Sequence, residues 1–228
     1  MNNISIEILY EDNHLIAVNK KAGEIVQGDK TGDEPLSEKV KKLLKIKYKK
    51  PGNVFLGTIH RIDRPTSGVI VFAKTSKALS RMNEKFRENE IHKTYLAAVK
   101  NKLPKNQDII ECYLQKNQKI NKSFISNKVK GKYSKLEYKE VKKLDNYYIY
   151  KITPYTGRHH QIRVQLSSKG SPIKGDLKYG AKRSNKNLCI HLHSRQLILF
   201  HPVTKEKLKF VAKCPKDSLW ESCEGVDS

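Results

Sequence analysis

The chain has 228 residues, and its 46 Lys and Arg against 23 Asp and Glu give a formal net charge of +23 and a pI near 9.8. That length buries a sizeable core without disulfides and fits one large domain, or two small halves sharing a core, over residues 1–228, taken as a single domain. The charge points to nucleic acid or an anionic membrane as partner, although a Lys- and Asn-rich composition by itself also produces such an excess; no apolar run reaches bilayer-spanning length, and residues 1–5 lack the features of a secretory signal.

A cytoplasmic protein is therefore expected. Its four cysteines (Cys112, Cys189, Cys214 and Cys223) are scattered, with no C-x-x-C pair, and in a reducing compartment they are expected as free thiols. Residues 4–19 hold two short apolar runs around Glu11-Asp12-Asn13 and predict a β-hairpin. Residues 23–35 read as loop. Over residues 37–50, Val40, Leu43 and Leu44 recur at helical spacing with lysines opposite. Strands are predicted at 54–59 and 69–73. A helix follows with Ser76 as its N-cap and Leu79, Met82 and Phe86 on one face. Residues 94–99 read as a strand, and the Lys- and Asn-rich stretch 101–131 as irregular strands. A strand pair is predicted at 133–141 and 147–152, and a last hairpin at 188–200 and 207–212. Few helices among many strands indicate an α+β domain with a mixed, mostly antiparallel sheet.

Two short segments concentrate chemistry. In His60-Arg61-Ile62-Asp63-Arg64-Pro65-Thr66-Ser67-Gly68 a carboxylate sits between two guanidiniums on a turn that leads straight into Val69-Ile70-Val71-Phe72-Ala73. Such a loop-to-strand junction can hold one Asp rigidly, and the arginines favour its ionised form, as a nucleophile or base requires. On residue types alone a solvated surface turn fits as well. The second segment, Thr156-Gly157-Arg158-His159-His160-Gln161-Ile162-Arg163-Val164-Gln165-Leu166, reads as a helix of about two turns ending before Gly170, although Ile162, Val164 and Leu166 also alternate as in a strand. In a helix, His159 and Arg163 would share a face. An inward-facing Arg163 needs a buried carboxylate partner, and Asp63 is the natural candidate.

The first string resembles the signature of the RluA-type RNA pseudouridine synthases, and the second resembles the same family's Gly-Arg-x-His-Gln-Ile/Leu-Arg motif. Further likeness follows in the family's order: the opening around Leu9-Tyr10-Glu11-Asp12, then Lys93-Thr94-Tyr95-Leu96-Ala97, Gly175-Asp176-x-x-Tyr179-Gly180, Leu192-His193-Ser194 and Phe200-His201-Pro202. The resemblance implies the synthase catalytic fold, with a cleft across the sheet flanked by a few helices and no separate S4-type RNA-binding domain. It implies an isomerase that converts uridine in a structured rRNA or tRNA loop to pseudouridine, with no cofactor, no metal, no membrane association and no obligate protein partner. Asp63 is then the catalytic residue, Tyr95 lies against the target base, and Arg163 pairs with Asp63. Arg61 either stacks in the space left by the flipped base or contacts phosphate, and His60, Arg64, Thr66, Arg158, His160 and Gln161 contact RNA. The chain departs from the family at Lys20-Lys21, where Lys-Pro is usual, at Gln165, where His is frequent, and at Ser194, where Ala is.

Other readings compete with this one. Cys189, His191 and His193 alternate and would face one side of a strand as zinc ligands, or simply pack in a core. Asp63 and Asp176 could serve as the two carboxylates of a glycosidase. A catalytically silent RNA-binding module would keep the charge without the reaction. Whether Asp63 attacks the sugar carbon or removes a 2′ proton is open at this level.

Overall fold

The structure is a computed structural model that describes residues 6–29, 31–185, 189–223 and 225. Its elements in chain order are β1 (Glu7–Glu11), β2 (Leu15–Lys20), α1 (Leu36–Lys47), β3 (Gly57–Thr58), β4 (Ser67–Ala73), α2 (Ser76–Arg87), β5 (His92–Val99), β6 (Gln107–Asn117), β7 (Lys122–Ser126), β8 (Lys132–Lys143), β9 (Tyr148–Pro154), α3 (Gln161–Ser168), a 3₁₀ turn (Leu177–Tyr179), β10 (Leu192–Phe200), β11 (Lys207–Val211) and α4 (Ser218–Glu221). Ile4 and Leu188, which begin two of the predicted strands, lie outside the described residues.

The chain forms two compact units: Met1–Ile91 with Ser194–Cys214, and His92–His193 with Pro215–Ser228. In the first, the strand order is β1-β2-β4-β10, with β11 on β10 and β3 on β4. The pairs β1–β2, β2–β4 and β10–β11 are antiparallel. Strand β4 is buried along its whole length, which explains its unbroken apolar run. Its alternate side chains serve two cores. Val69, Val71 and Ala73 join Leu15 and Ala17 against Ala78 and Met82 of α2. Ile70 and Phe72 join Ile16 and Val18 against Leu36, Val40 and Leu44 of α1. The lysines of α1 fall on its outer face.

In the second unit the order is β5-β9-β8-β6-β7, antiparallel at every step. Ala97, Ile110, Leu136, Tyr138, Tyr150 and Ile152 form its core with Ile162 and Leu166 of α3. Helix α4 seats Trp220, 3% exposed, against the rings of His191 and His193.

The α+β class and the mostly antiparallel sheet are as expected, and several local expectations need correction. The strand predicted at 54–59 is reduced to Gly57–Thr58. The N-cap of α2 is Thr75, whose hydroxyl accepts from Ala78 N, because Thr75 has the extended backbone a cap requires and Ser76 is already helical. The stretch predicted as irregular is a regular hairpin, β6 with β7, paired from Tyr113↔Ser126 to Asn117↔Lys122. Its lysines hid the pattern, since only Leu114 and Ser123 of those strand segments are buried.

Candidate active site

Asp63 lies in the first unit, half-buried on the segment between β3 and β4. Its carbonyl accepts from Thr66 N at 3.0 Å and closes a turn over Arg64 and Pro65. The turn is anchored from behind. Gly23 N donates to the Arg64 carbonyl at 2.8 Å, and Arg64 Nε returns a bond to the Gly23 carbonyl at 3.0 Å. Lys20, fully buried, spends its Nζ on the carbonyls of Lys21, Glu24 and Arg64 at 2.9, 2.7 and 3.1 Å. Burial pushes the Lys20 ammonium down to about 7, against the opposing pull of Glu24 and Asp63. In the sequence Lys20 stands out only beside Lys21, where the family has Lys-Pro; its clamping role has no further signal there than an apolar strand that ends in a lysine.

The other residues predicted on this loop differ in their surroundings. His60 stacks on Phe86 with ring centroids 5.0 Å apart, and its Nε2 accepts from Val71 N at 3.1 Å, so one ring nitrogen serves the fold. Arg61 is exposed. The Arg64 guanidinium meets Asp33 at 2.7 Å. Thr66 is 1% exposed, and among the described residues its Oγ1 has no hydrogen-bond partner. Gly68 has φ +117, and a Cβ there would fall 2.2 Å from the Ser194 carbonyl oxygen. No other residue fits that close approach of backbone to backbone.

The second unit holds Tyr95, Arg158, His160, Gln161 and Arg163. Tyr95 is on β5 opposite Ile152, half-buried against the core. Gln161 is buried and bonded through both amide atoms: its Oε1 accepts from Thr156 Oγ1 at 2.7 Å and Arg158 N at 3.0 Å, and its Nε2 donates to the Lys135 carbonyl at 3.0 Å. It therefore shapes the 156–161 turn. Arg158 is exposed, with Nε on the Tyr133 carbonyl at 2.8 Å. His160 caps α3 in the left-handed region at φ 54, a position costly for a non-glycine residue. His159 accordingly lies outside the helix and does not share a helical face with Arg163; its ring instead stacks on His160 at 3.7 Å.

Arg163 has the buried carboxylate partner that its burial demands, and within this unit that partner is Asp176. Nε and Nη2 of Arg163 reach the two oxygens of Asp176 at 2.7 and 2.8 Å, with side chains 6% and 2% exposed. Beneath the guanidinium lies the Tyr179 ring, 5.0 Å from its centre. The Tyr179 hydroxyl accepts from Ser123 N at 2.9 Å and sits 2.8 Å from His160 Nδ1. Burial, with the charges of Arg163, His159 and nearby lysines, pushes His160 down to about 2 and keeps it neutral. In the sequence Asp176 is legible within Gly-Asp-x-x-Tyr-Gly and as a candidate second carboxylate, and Tyr179 within that segment alone; their contacts with Arg163 are not.

The zinc reading needed one strand for Cys189, His191 and His193, yet β10 begins only at Leu192. His191 instead sits 2.9 Å from Asp217 and 2.8 Å from the Asn185 amide. Among the described residues no group of His, Cys, Asp and Glu is arranged to hold a metal ion.

Residues 14–168 match the sequence profile of the RNA pseudouridylate synthase family, a span that includes Asp63, Tyr95 and Arg163. The chain is 35% identical over 223 residues to ribosomal large subunit pseudouridine synthase C of Buchnera aphidicola subsp. Acyrthosiphon pisum (strain APS), covering 94% of this chain and 68% of that one. It is 32% identical to the protein of that name from Vibrio vulnificus (strain CMCP6), of which it spans 64%. It is also 32% identical to tRNA pseudouridine synthase C of Haemophilus influenzae (strain ATCC 51907 / DSM 11121 / KW20 / Rd), with 95% of each chain covered. The chain thus spans about two-thirds of the length of the ribosomal relatives. Among solved structures, human RNA Pseudouridylate Synthase Domain Containing 4 shares the fold with a TM-score of 0.79 at 24% identity, over 96% of this chain and 92% of that one.

Proposed function

The chain belongs to the RNA pseudouridylate synthase family, isomerases of uridine in RNA, and from that premise we propose that it isomerises uridine in ribosomal or transfer RNA with Asp63, Tyr95 and Arg163 as its catalytic set. The observation that carries the reading is the family match across all three residues, joined to a loop whose backbone is clamped by a buried lysine. The reaction breaks the C1′–N1 bond, turns the base and joins C5 to C1′; the C5 proton is lost and N1 gains one, so reactant and product are isomers.

Asp63 acts on the ribose, as nucleophile at C1′ or as base at the 2′ position. Tyr95 lies against the freed base and assists removal of the C5 proton. Arg163, aligned by Asp176, supports the Asp63 carboxylate. The target must leave its stack, at a cost of a few kcal/mol that is least in a loop. Arg61, exposed and planar, suits the vacated space or a phosphate. Arg64, Thr66 and Arg158 complete the RNA contacts on this reading, with His60, His160 and Gln161 placing the loops that carry them. Among the described residues no helix is long and apolar enough to cross a membrane, and action on cytoplasmic RNA accords with this.

The test maps pseudouridine at single-nucleotide resolution in total RNA from cells with the gene, without it, and with Asp63→Asn. Sites absent from both mutants and present in the parent name the substrate and support the assignment. Sites retained by Asp63→Asn would overturn the role of Asp63. If none of the sites depends on the gene, the silent RNA-binding module takes precedence.

A further inference from the structure

Residues 115–132 contain six lysines (Lys116, Lys119, Lys122, Lys128, Lys130 and Lys132) and no Asp or Glu. They form the end of the β6–β7 hairpin and the turn into β8, at the limit of the second unit's strand order. All but Lys122 are exposed. Aromatic side chains stand among them. Phe124 is 42% exposed with Lys122 Nζ 5.4 Å from its ring centre, and Tyr133 is 40% exposed, edge-on to its cross-strand partner Tyr113 at 5.9 Å. Glu111, the acid nearest this set in strand register, is paired with Lys135 at 2.8 Å.

A hairpin so basic, with rings 40–42% exposed, gains little for the fold from these groups: like charges repel, and half-exposed aromatics bury little, although Tyr133 also bonds Glu111. Both features suit single-stranded nucleic acid, whose phosphates take the lysines and whose unstacked bases take the rings. The hairpin is also pinned to the Arg163 neighbourhood. Ser123 donates its N–H to the Tyr179 hydroxyl at 2.9 Å, its Oγ meets His159 Nδ1 at 2.8 Å, and Lys178 Nζ reaches the Asn121 carbonyl at 3.2 Å. The Tyr179 ring in turn lies under Arg163.

We infer that the β6–β7 hairpin is a docking strip for a single-stranded RNA segment flanking the target uridine, held by phosphates on its lysines and by a base on Phe124 or Tyr133. The inference rests on the chain acting on RNA, and it adds a surface that the catalytic residues do not include.

The test measures binding of oligouridylate RNA by fluorescence anisotropy across a salt series. It compares the full chain, Lys119→Gln/Lys128→Gln/Lys130→Gln, a control triple Lys77→Gln/Lys207→Gln/Lys209→Gln, and Phe124→Ala/Tyr133→Ala. All the lysines changed are exposed, so both triples lose equal charge at the surface; thermal unfolding confirms each variant is folded. The hairpin triple is expected to lower the slope of log affinity against log salt by about 2, from ~0.7 per single-strand phosphate. The control should change it far less. The aromatic pair should weaken binding roughly 10-fold with the slope kept, as loss of stacking requires. Equal slopes for the two triples, or an aromatic variant with parental affinity, would overturn the strip. Absence of any gene-dependent pseudouridine together with hairpin-dependent binding would overturn the isomerase reading and leave the strip standing.

Discussion

Arg163 and Asp176 show how a catalytic candidate depends on a neighbour the chemistry never touches. A buried guanidinium without a carboxylate is costly, so the bidentate fork to Asp176 is a condition for Arg163 being inside at all. Asp176→Asn is expected to destabilise the chain by about 3–5 kcal/mol, the cost of leaving one charge of a buried pair. Denaturant unfolding at neutral pH measures this; a loss below about 1 kcal/mol, the value of an exposed pair, would show that the pair is not buried as described. Lys20 applies the same logic to the Asp63 loop: three carbonyls use the three protons of an ammonium, so a buried cation is satisfied, among the described residues, without a carboxylate at bonding distance.

At the scale of elements, the second unit carries two buried neutral histidines that make it sensitive to acid. Burial chiefly, with Lys174 beside it, holds His191 down at about 4 despite the opposing Asp217. The folded value lies below the ordinary 6.5, so the unfolded chain takes up the proton first as pH falls. Stability from this group is therefore complete above 6.5 and lost progressively towards 4. His160 adds loss in the same direction, continuing to about 2. His191→Asn should flatten the unfolding free energy between pH 6.5 and 4 relative to the parent. Equal slopes in chemical unfolding across that window would mean that His191 already titrates normally in the folded chain.

At the scale of the whole molecule, each unit is assembled from two separate stretches of chain. The second recovers Pro215–Ser228 from beyond the last strand of the first. That returning segment brings Asp217 to His191 and Trp220 to the rings of His191 and His193. Trp220→Ala should cost about 3–5 kcal/mol as a large-to-small core change. A chain ending at residue 214 loses the Asp217 contact as well, so its unfolding midpoint should fall further than that of Trp220→Ala. A truncated chain as stable as the parent would show that the returning segment contributes nothing to the second unit.

The sequence by itself determined the α+β class, most strand and helix positions, and the family. Apolar periodicity reports burial directly, as in β2, β4 and α1, and the Asp63 and Arg163 strings are contiguous and so readable without a fold. It failed where the deciding information was not local. The β6–β7 hairpin was obscured because its paired segments bury one side chain each, Leu114 and Ser123, and so have no apolar rhythm to read. Residue type alone favours Ser76 as readily as Thr75 for the α2 cap, because capping depends on backbone angles that the two residues do not share. The Asp176 fork on Arg163 was not legible, because residue types show that a buried guanidinium needs a carboxylate but not which ones arrive. Only the tertiary structure decided that Asp176 receives the Arg163 fork, that Tyr179 lies beneath it, that Lys20 clamps the Asp63 loop, and that Gly68 must lack a side chain where the Ser194 backbone passes. Each is a contact between residues far apart in the chain, set by the cores that bring their strands together.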